Sequence, residues 1–194
     1  MTAAHCDPVF SSVGQALHIS FLMEILPVTQ KVSTQVLIDS IKQQLGKVEA
    51  RVSSTINLGG MSPLEFRGQC AMVRSASQNH LTQPEFDAIR TRFGWQRTQA
   101  AGIQGIHDYL LPLVQLQGEL ALKAILWSLY HRGERKGLAI RDIERETGIP
   151  KSTLADASGV VRRSVQGLEE RAHARLGDLF ERTGLVGYCQ QEVA

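Results

Sequence analysis

The sequence predicts a mainly α protein: a helical bundle with a helix-turn-helix near its C-terminal end and a long final helix. Apolar residues recur at intervals of three and four in several segments, which is the period of an amphipathic helix. Residue patterns that start helices precede these segments, and no convincing strand alternation appears after residue 60. With 194 residues, 43% of them hydrophobic, the chain is long enough for one or two small domains with a core.

Residues 1–60 are predicted to form an N-terminal arm. The apolar stretch 9–28 contains His18 and Glu24 and has no basic segment before it, so it is a poor signal peptide. Its uninterrupted apolar runs are too short to span a bilayer. We therefore expect a core or docking segment and no membrane partner.

One amphipathic helix is predicted later in this arm, between Ser33 and Val52. Ser33 is a suitable N-cap, and apolar residues follow it at helical spacing. The stretch 53–60, rich in Ser, Thr and Gly, is typical of a linker. The sequence therefore predicts a domain boundary near residue 60, a helical body over 61–184 and a tail over 185–194.

The helical body begins with a capping box at Ser62 and Glu65, with Pro63 at the first helical position. This pattern predicts a helix that runs to about Ser77. The residues predicted to face inward are Leu64, Met72 and Val73, and those predicted to face outward are Arg67 and Arg74.

Three more helices are predicted before the helix-turn-helix. Thr82 caps the first, which ends at Gly94. The second, over 100–114, is weakened by two internal glycines at 102 and 105 and stopped or kinked by a proline at 112. The third, over 119–130, is apolar on most sides, which predicts a central buried helix.

The most informative segment is 140–154, which has the spacing of a helix-turn-helix. A first helix carries Ile140 and Ile143 on one face, and Gly148 supplies the left-handed position that a tight turn between helices needs. Ile149 is expected to plug the gap behind the turn, and Leu154 to face inward. In proteins of this kind the second helix lies in the major groove of DNA, where its first-turn side chains reach base edges.

Four residues of this segment fit the motif less well. Glu144 stands where the two helices approach closely and alanine is usual, and Thr147 stands where an apolar residue is common. Asp156 on the second helix would repel phosphate, and Gly159 weakens that helix by about 1 kcal/mol relative to alanine. The alternative is a helical hairpin that only packs a core.

Candidate DNA contacts divide by chemistry. Lysine and hydroxyl side chains at the start of the second helix can bond base edges, whereas arginines on both helices can bind phosphate without reading sequence. The predicted base contacts are Lys151, Ser152 and Thr153, and the predicted phosphate contacts are Arg141, Arg145, Arg162 and Arg163. Each arginine has an alternative as a solvated surface charge, and Arg141 and Arg145 also have acidic neighbours at helical spacing.

The segment 81–94, which reads LTQPEFDAIRTRFG, resembles the first helix of the sigma-factor region that reads the promoter −35 element. In sigma factors a helix-turn-helix follows this phrase closely, whereas here the two are separated by about 45 residues. The chain is therefore more similar to small phage-encoded or prophage-encoded regulators such as the late antiterminators of lambdoid phages. The resemblance covers about 62–183 and implies a protein that binds DNA near a promoter and alters RNA polymerase.

The composition narrows the other classes of function. The net charge of +2 does not by itself indicate a nucleic-acid binder, so a basic face would have to come from local arrangement. The three cysteines, Cys6, Cys70 and Cys189, form no metal or disulfide pattern, which favours a reducing cytoplasmic setting without a metal. No catalytic or phosphate-binding motif is present, so we expect no enzyme, no catalytic residue and no cofactor.

The last predicted helix carries an apolar seam that has two interpretations. Its members are Val161, Val165, Leu168, Ala172, Leu176 and Leu179. The seam could pack on the protein's own core, which is the commoner case, or pair with a second copy in a homodimer. The sequence as a whole favours a sequence-specific regulator of transcription that binds double-stranded DNA. The alternative is a helical protein-interaction or phage assembly module without DNA binding.

Overall fold

The computed structural model describes residues 8–26, 61–114, 116, 118–131 and 138–186. Within these ranges the protein is mainly α, with seven helices and no strand, as predicted. The predicted helix between Ser33 and Val52 lies outside the described residues. The helices belong to two compact units: one contains 8–26, 61–80 and 173–186, and the other contains 81–172. The boundary predicted near residue 60 stays a prediction, because the residues before it lie outside the described ranges.

In the first unit, helix α1 (Val13–Ile25) packs against helix α2 (Pro63–His80). Ser12 caps α1 by accepting a hydrogen bond from the Gln15 amide. Nine consecutive residues of α1, from Gln15 to Met23, are buried, so the apolar N-terminal stretch is a core segment, as expected. Phe10 and Phe66 add an aromatic contact with ring centres 5.9 Å apart.

Helix α2 starts with the predicted capping box but turns a different face inward. The Ser62 amide donates to Glu65 Oε2 at 2.7 Å, and the Glu65 amide donates to Ser62 Oγ at 3.3 Å. Val73 is buried as predicted, but Leu64 and Met72 are 74% and 53% exposed, so that part of the prediction is wrong. The residues buried on α2 are Phe66, Cys70, Val73 and Ser77.

The two arginines predicted to lie outside α2 are instead partly buried against α1. Arg67 donates to the carbonyl oxygens of Met23 and Leu26, and Arg74 donates to that of Ser20. The Met23 and Leu26 carbonyls lie at the C-terminal end of α1, where a helix leaves backbone oxygens without a helical partner, whereas Ser20 lies one turn earlier. The arginines therefore satisfy main-chain groups, a role that their spacing in the sequence did not reveal.

In the second unit, helices α3 (Gln83–Phe93) and α4 (Gln96–Leu110) pack so closely that their backbones nearly touch. A Cβ atom at Gly102 would lie 2.7 Å from the Asp87 carbonyl oxygen and 2.5 Å from Thr91 Oγ1. A Cβ atom at Gly105 would collide with the Asp87 carboxylate. The glycines that lower the helix propensity of this segment are therefore what allows α3 and α4 to approach.

Helices α5 (Glu119–Tyr130), α6 (Ile140–Thr147) and α7 (Lys151–Arg182) complete the second unit's core. α5 has the predicted bounds and buries five residues, but Leu120 is 76% exposed, so the helix is not buried on most sides. The second helix of the predicted helix-turn-helix and the long final helix, predicted as successive parts, are one continuous helix of 32 residues. Its residues 151–172 belong to the second unit and the remainder to the first.

The apolar seam of α7 lies in the protein's own core. Five of its six predicted members are 3% exposed or less, namely Val161, Val165, Leu168, Ala172 and Leu176. The sixth, Leu179, is only partly buried, and the neighbouring Phe180 is buried in its place. The core-facing interpretation of the seam is therefore the one that the structure shows. A homodimer would need a different surface. No helix in the described ranges is both long and apolar enough to cross a bilayer.

Candidate nucleic-acid interface

The turn between α6 and α7 has the backbone that the sequence predicts. Gly148 adopts the left-handed conformation, with φ of 71° and ψ of 4°, and its amide donates to the Glu144 carbonyl oxygen at 2.8 Å. A side chain is disfavoured in this conformation, because Cβ crowds the backbone of an L-residue there. Gly148 therefore ends α6 and redirects the chain into α7 within three residues.

Apolar side chains on both sides of the turn fix it to the core. Ile143 and Leu154 are fully or almost fully buried, and Ile140 and Ile149 pack partly buried against the same cluster. Thr147, which replaces the usual apolar residue, bonds the backbone instead. Its hydroxyl donates to the Ile143 carbonyl at 2.7 Å and accepts from the Ile149 amide at 3.4 Å. Thr147 thus stabilises the turn through polar contacts.

Glu144 caps the second helix. Its Oε1 atom accepts a hydrogen bond from the Lys151 amide at 3.0 Å. The first amides of a helix lack partners within the helix and favour negative charge, so a carboxylate here stabilises the start of α7. Because the Lys151 amide donates to this carboxylate, it cannot donate at the same time to a DNA phosphate. Glu144 therefore supports the fold of this surface and opposes phosphate at one point on it.

The three predicted base contacts are all exposed. Lys151, Ser152 and Thr153 form the first turn of α7, immediately before the buried Leu154. Successive residues of a helix point about 100° apart, so these side chains spread around the outer half of the first turn. Ser152 points most directly away from Leu154. In this turn, therefore, the buried Leu154 anchors the helix and the three polar side chains before it face the solvent.

The predicted phosphate contacts are exposed but differ in their partners. Arg145 forms an ion pair with Asp142, with 2.8 Å between its guanidinium and the carboxylate, so local pairing accounts for it. Arg141, Arg162 and Arg163 have no ion pair within residues 138–186. These three guanidinium groups are therefore available to an external anion.

Acidic residues interrupt the basic surface. Asp156 is exposed on α7 and lies four residues after Ser152, so the two share the outward face of the helix. Glu146 is exposed on α6. Arg163 lies seven residues beyond Asp156 on the same face. The surface around the first turn of α7 is consequently mixed in charge.

A pocket that the sequence did not reveal lies within the second unit, and Arg162 is one of its lining residues. It has a volume of about 470 Å³, and Tyr130 and Glu169 contribute to its wall. The Tyr130 hydroxyl donates to Glu169 Oε1 at 2.6 Å. Burial raises the pKa of Glu169 above the usual carboxyl value. A signal was present, because Glu169 lies four residues after the seam residue Val165 and so borders the buried stripe.

The other titratable groups of the described residues offer little chemistry. Burial raises the pKa of the Cys70 thiol to about 11, so this thiol stays protonated at neutral pH and is a poor nucleophile. Within the described ranges, no three His, Cys, Asp or Glu side chains are grouped as a metal site would require. The α6–α7 surface is therefore the best supported candidate site.

Comparison with known proteins adds no family assignment: no family model matches the chain, and no curated protein matches it.

Proposed function

We propose that this protein is a sequence-specific regulator of transcription that binds double-stranded DNA through the first turns of α7. The observation that carries the proposal is the exposed first turn at Lys151, Ser152 and Thr153, held outward by the buried Leu154. A helix presented in this way can enter the major groove with its N-terminal residues against base edges.

The proposed contacts divide as the side chains do. Lys151, Ser152 and Thr153 would bond base edges, and the unpaired Arg141, Arg162 and Arg163 would bind phosphates on either side. Arg145 contributes less, because its ion pair with Asp142 must be exchanged for phosphate. The resemblance to late antiterminators suggests the mode of action, which is to bind near a promoter and alter RNA polymerase.

A second function, a protein-interaction or assembly module, is favoured by the acidic residues of the same surface. Asp156 shares the outward face of α7 with Ser152, and the Glu144 carboxylate lies at the helix start. Val160 is 39% exposed one turn beyond Asp156. A partner protein with basic and apolar side chains would fit this surface, and such a module would show little salt-dependent affinity for duplex DNA.

The test begins with selection of bound duplexes from a random pool, followed by binding titrations of the selected duplex and a scrambled one at two salt concentrations. Lys151→Ala and Thr153→Ala should each cost about 1–3 kcal/mol on the selected duplex and relax the sequence preference. Arg163→Ala should weaken both duplexes equally and reduce the salt slope by about one. Arg97→Ala, an exposed arginine on α4, is the matched control and should change neither.

Asp156→Asn separates the two functions by the sign of its effect. If the surface binds DNA, removing this negative charge should strengthen binding to both duplexes, most at low salt. If it binds a basic partner protein, the same change should weaken that complex and leave any residual DNA binding unaltered. The DNA proposal fails if no duplex is enriched, or if Lys151→Ala, Thr153→Ala and Arg163→Ala all bind like the unmodified protein.

A further inference from the structure

Exposed apolar side chains of the second unit are concentrated in one short stretch of the chain. Within the described residues of this unit, five large hydrophobic side chains are exposed, and four of them lie between residues 109 and 120. Leu120 and Leu113 are 76% and 59% exposed, and Leu111 is 37% exposed. Soluble proteins rarely leave several apolar side chains open at one place unless a partner covers them.

The backbone brings the three leucines to the same end of two neighbouring helices. α4 ends at Leu110 and α5 starts at Glu119 after a short connection, which is typical of antiparallel neighbours. Lys123 Nζ donates to Gln104 Oε1 at 2.9 Å, and this alignment places the end of α4 beside the start of α5. The leucines at this end form what we call the leucine patch: Leu111, Leu113 and Leu120.

The connection between α4 and α5 is held by the core. Leu110 and Val114, on either side of Leu111 and Leu113, are both buried. The Leu113 and Val114 amides each donate to the Leu110 carbonyl oxygen at 2.9 Å, which closes the turn. The backbone of the patch is therefore already ordered, so a partner that covers it has little ordering to induce.

Charged side chains of opposite sign border the patch on α5. Glu119 comes directly before Leu120, and Lys123 follows one turn later. Lys123 is held in place by its hydrogen bond to Gln104 and by the charge of the nearby Asp108 carboxylate. A surface with an acid and a base beside its apolar centre is complementary to itself about a twofold axis, because each Glu119 then faces Lys123 of the second copy.

The charge of the whole chain is compatible with self-association. Its net charge is +2 over 194 residues, so two copies repel each other only weakly. A partner carrying charges of a single sign would meet one attractive and one repulsive residue at this patch. The mixed charges and the low net charge therefore both favour a second copy of this chain as the occupant.

We propose that the leucine patch is the interface of a homodimer in which α5 of one copy crosses α5 of the other around Leu120. The leucines supply the affinity by leaving water. Glu119 and Lys123 set the orientation, since exposed ion pairs add little to affinity. The α7 seam is not needed for this dimer. One consequence rests on the proposed function: the dimer carries two first turns of α7 and fits a duplex with two half-sites.

Sedimentation equilibrium of the full chain, without DNA, tests the interface directly. Between about 1 and 100 μM, the weight-average mass should rise from 21.4 kDa towards twice that value. Leu120→Ser and Leu113→Ser should each raise the Kd of the dimer about tenfold or more. Leu64→Ser in the first unit is the matched control, because Leu64 is 74% exposed, and it should leave the Kd unchanged.

Two charge reversals test the twofold arrangement. Glu119→Lys and Lys123→Glu should each weaken self-association, because each variant places like charges opposite each other across the interface. An equimolar mixture of the two should associate more tightly than either alone, since one copy then supplies two bases and the other two acids. Circular dichroism spectra and unfolding midpoints show whether the variants are folded. If Lys123→Glu is not, Lys123→Gln replaces it, and the mixture is compared with Glu119→Lys alone.

Three results would overturn the interface. The first is a chain that stays monomeric over the whole range, which is also the result expected if a partner protein or another segment of this chain covers the patch. The second is patch variants that weaken self-association no more than Leu64→Ser does. The third is a mixture that associates no more tightly than its components. A dimer that enriches no duplex would uphold the interface and refute the proposed function, and a monomer that binds one duplex would do the reverse.

Discussion

The α3–α4 pair and the α6–α7 junction use the same two residue types, glycine and glutamate, in opposite ways. Gly102 lets two helix backbones touch, whereas Gly148 lets one backbone turn. Glu85 at the start of α3 is 2% exposed, whereas Glu144 at the start of α7 is only partly buried. The first pair is a closed structural contact, and the second presents polar side chains to the solvent.

The two regions differ in how many of these polar side chains remain exposed to a partner. In α3–α4, Asp87, Thr91 and Glu85 are all buried, and their polar atoms bond groups of the protein itself. Around the start of α7, the polar side chains of Lys151 and Ser152 are exposed. Exposed polar residues held on an anchored helix are those that can recognise a partner.

The largest expected effect on the free energy of unfolding distinguishes a glycine in a close helix contact from a glycine that faces open space. Gly102→Ala should lower the free energy of unfolding by about 3 kcal/mol, because the added methyl group meets backbone atoms of α3 that cannot move aside. Gly159→Ala on α7 is the matched control. Its methyl group meets only the Arg163 guanidinium at 3.9 Å, so it should stabilise the protein by about 1 kcal/mol. Urea unfolding measures both, and equal effects would refute the contrast.

A smaller effect is expected from the two glutamates. Glu85→Ala should destabilise the protein by about 2 kcal/mol, since it removes the hydrogen bond to the Thr82 amide and the ion pair with Arg171. Glu144→Ala removes one capping bond at a partly exposed site and should cost only about 0.5–1 kcal/mol. The comparison, measured by thermal unfolding, breaks down if Glu144→Ala is the more damaging variant.

The smallest effect depends on pH and concerns the wall of the pocket. Burial raises the pKa of Glu169, so the folded protein holds this proton more tightly than the unfolded chain does. Stability is then lost as the pH rises from the ordinary carboxyl pKa through the raised value. Glu169→Gln should therefore gain stability over the unmodified chain in that pH range and no longer gain it at lower pH. Urea unfolding across the range measures this, with the exposed Glu181→Gln on the same helix as control.

Local signals predicted most of the helices. The capping box at Ser62, the start at Thr82 and the bounds 119–130 all agree with the structure, because caps and helical periodicity act within one or two turns of the chain. Gly148 was identified for the same reason, since a tight turn between helices needs a left-handed residue. The proposed DNA contacts follow from this turn and remain predictions.

Inward and outward faces were less predictable where two elements compete for the same surface. Leu64 and Met72 are apolar but exposed, whereas Arg67 and Arg74 are charged but partly buried. The carbonyl oxygens at the end of α1 need donors, and the long Arg67 side chain supplies them while its stem packs. The order of apolar and polar residues in α2 does not reveal where α1 packs against it.

The sequence by itself determined the mainly helical class, the caps and the left-handed turn at Gly148, because each depends on backbone preferences of a few adjacent residues. Only the tertiary structure decided that Gly102 and Gly105 form a close contact between helices, that the α7 seam lies in the protein's own core, and that Glu169 lines a pocket. Those features depend on which residues meet across long stretches of chain, and the distance between two helices is set by the side chains of both.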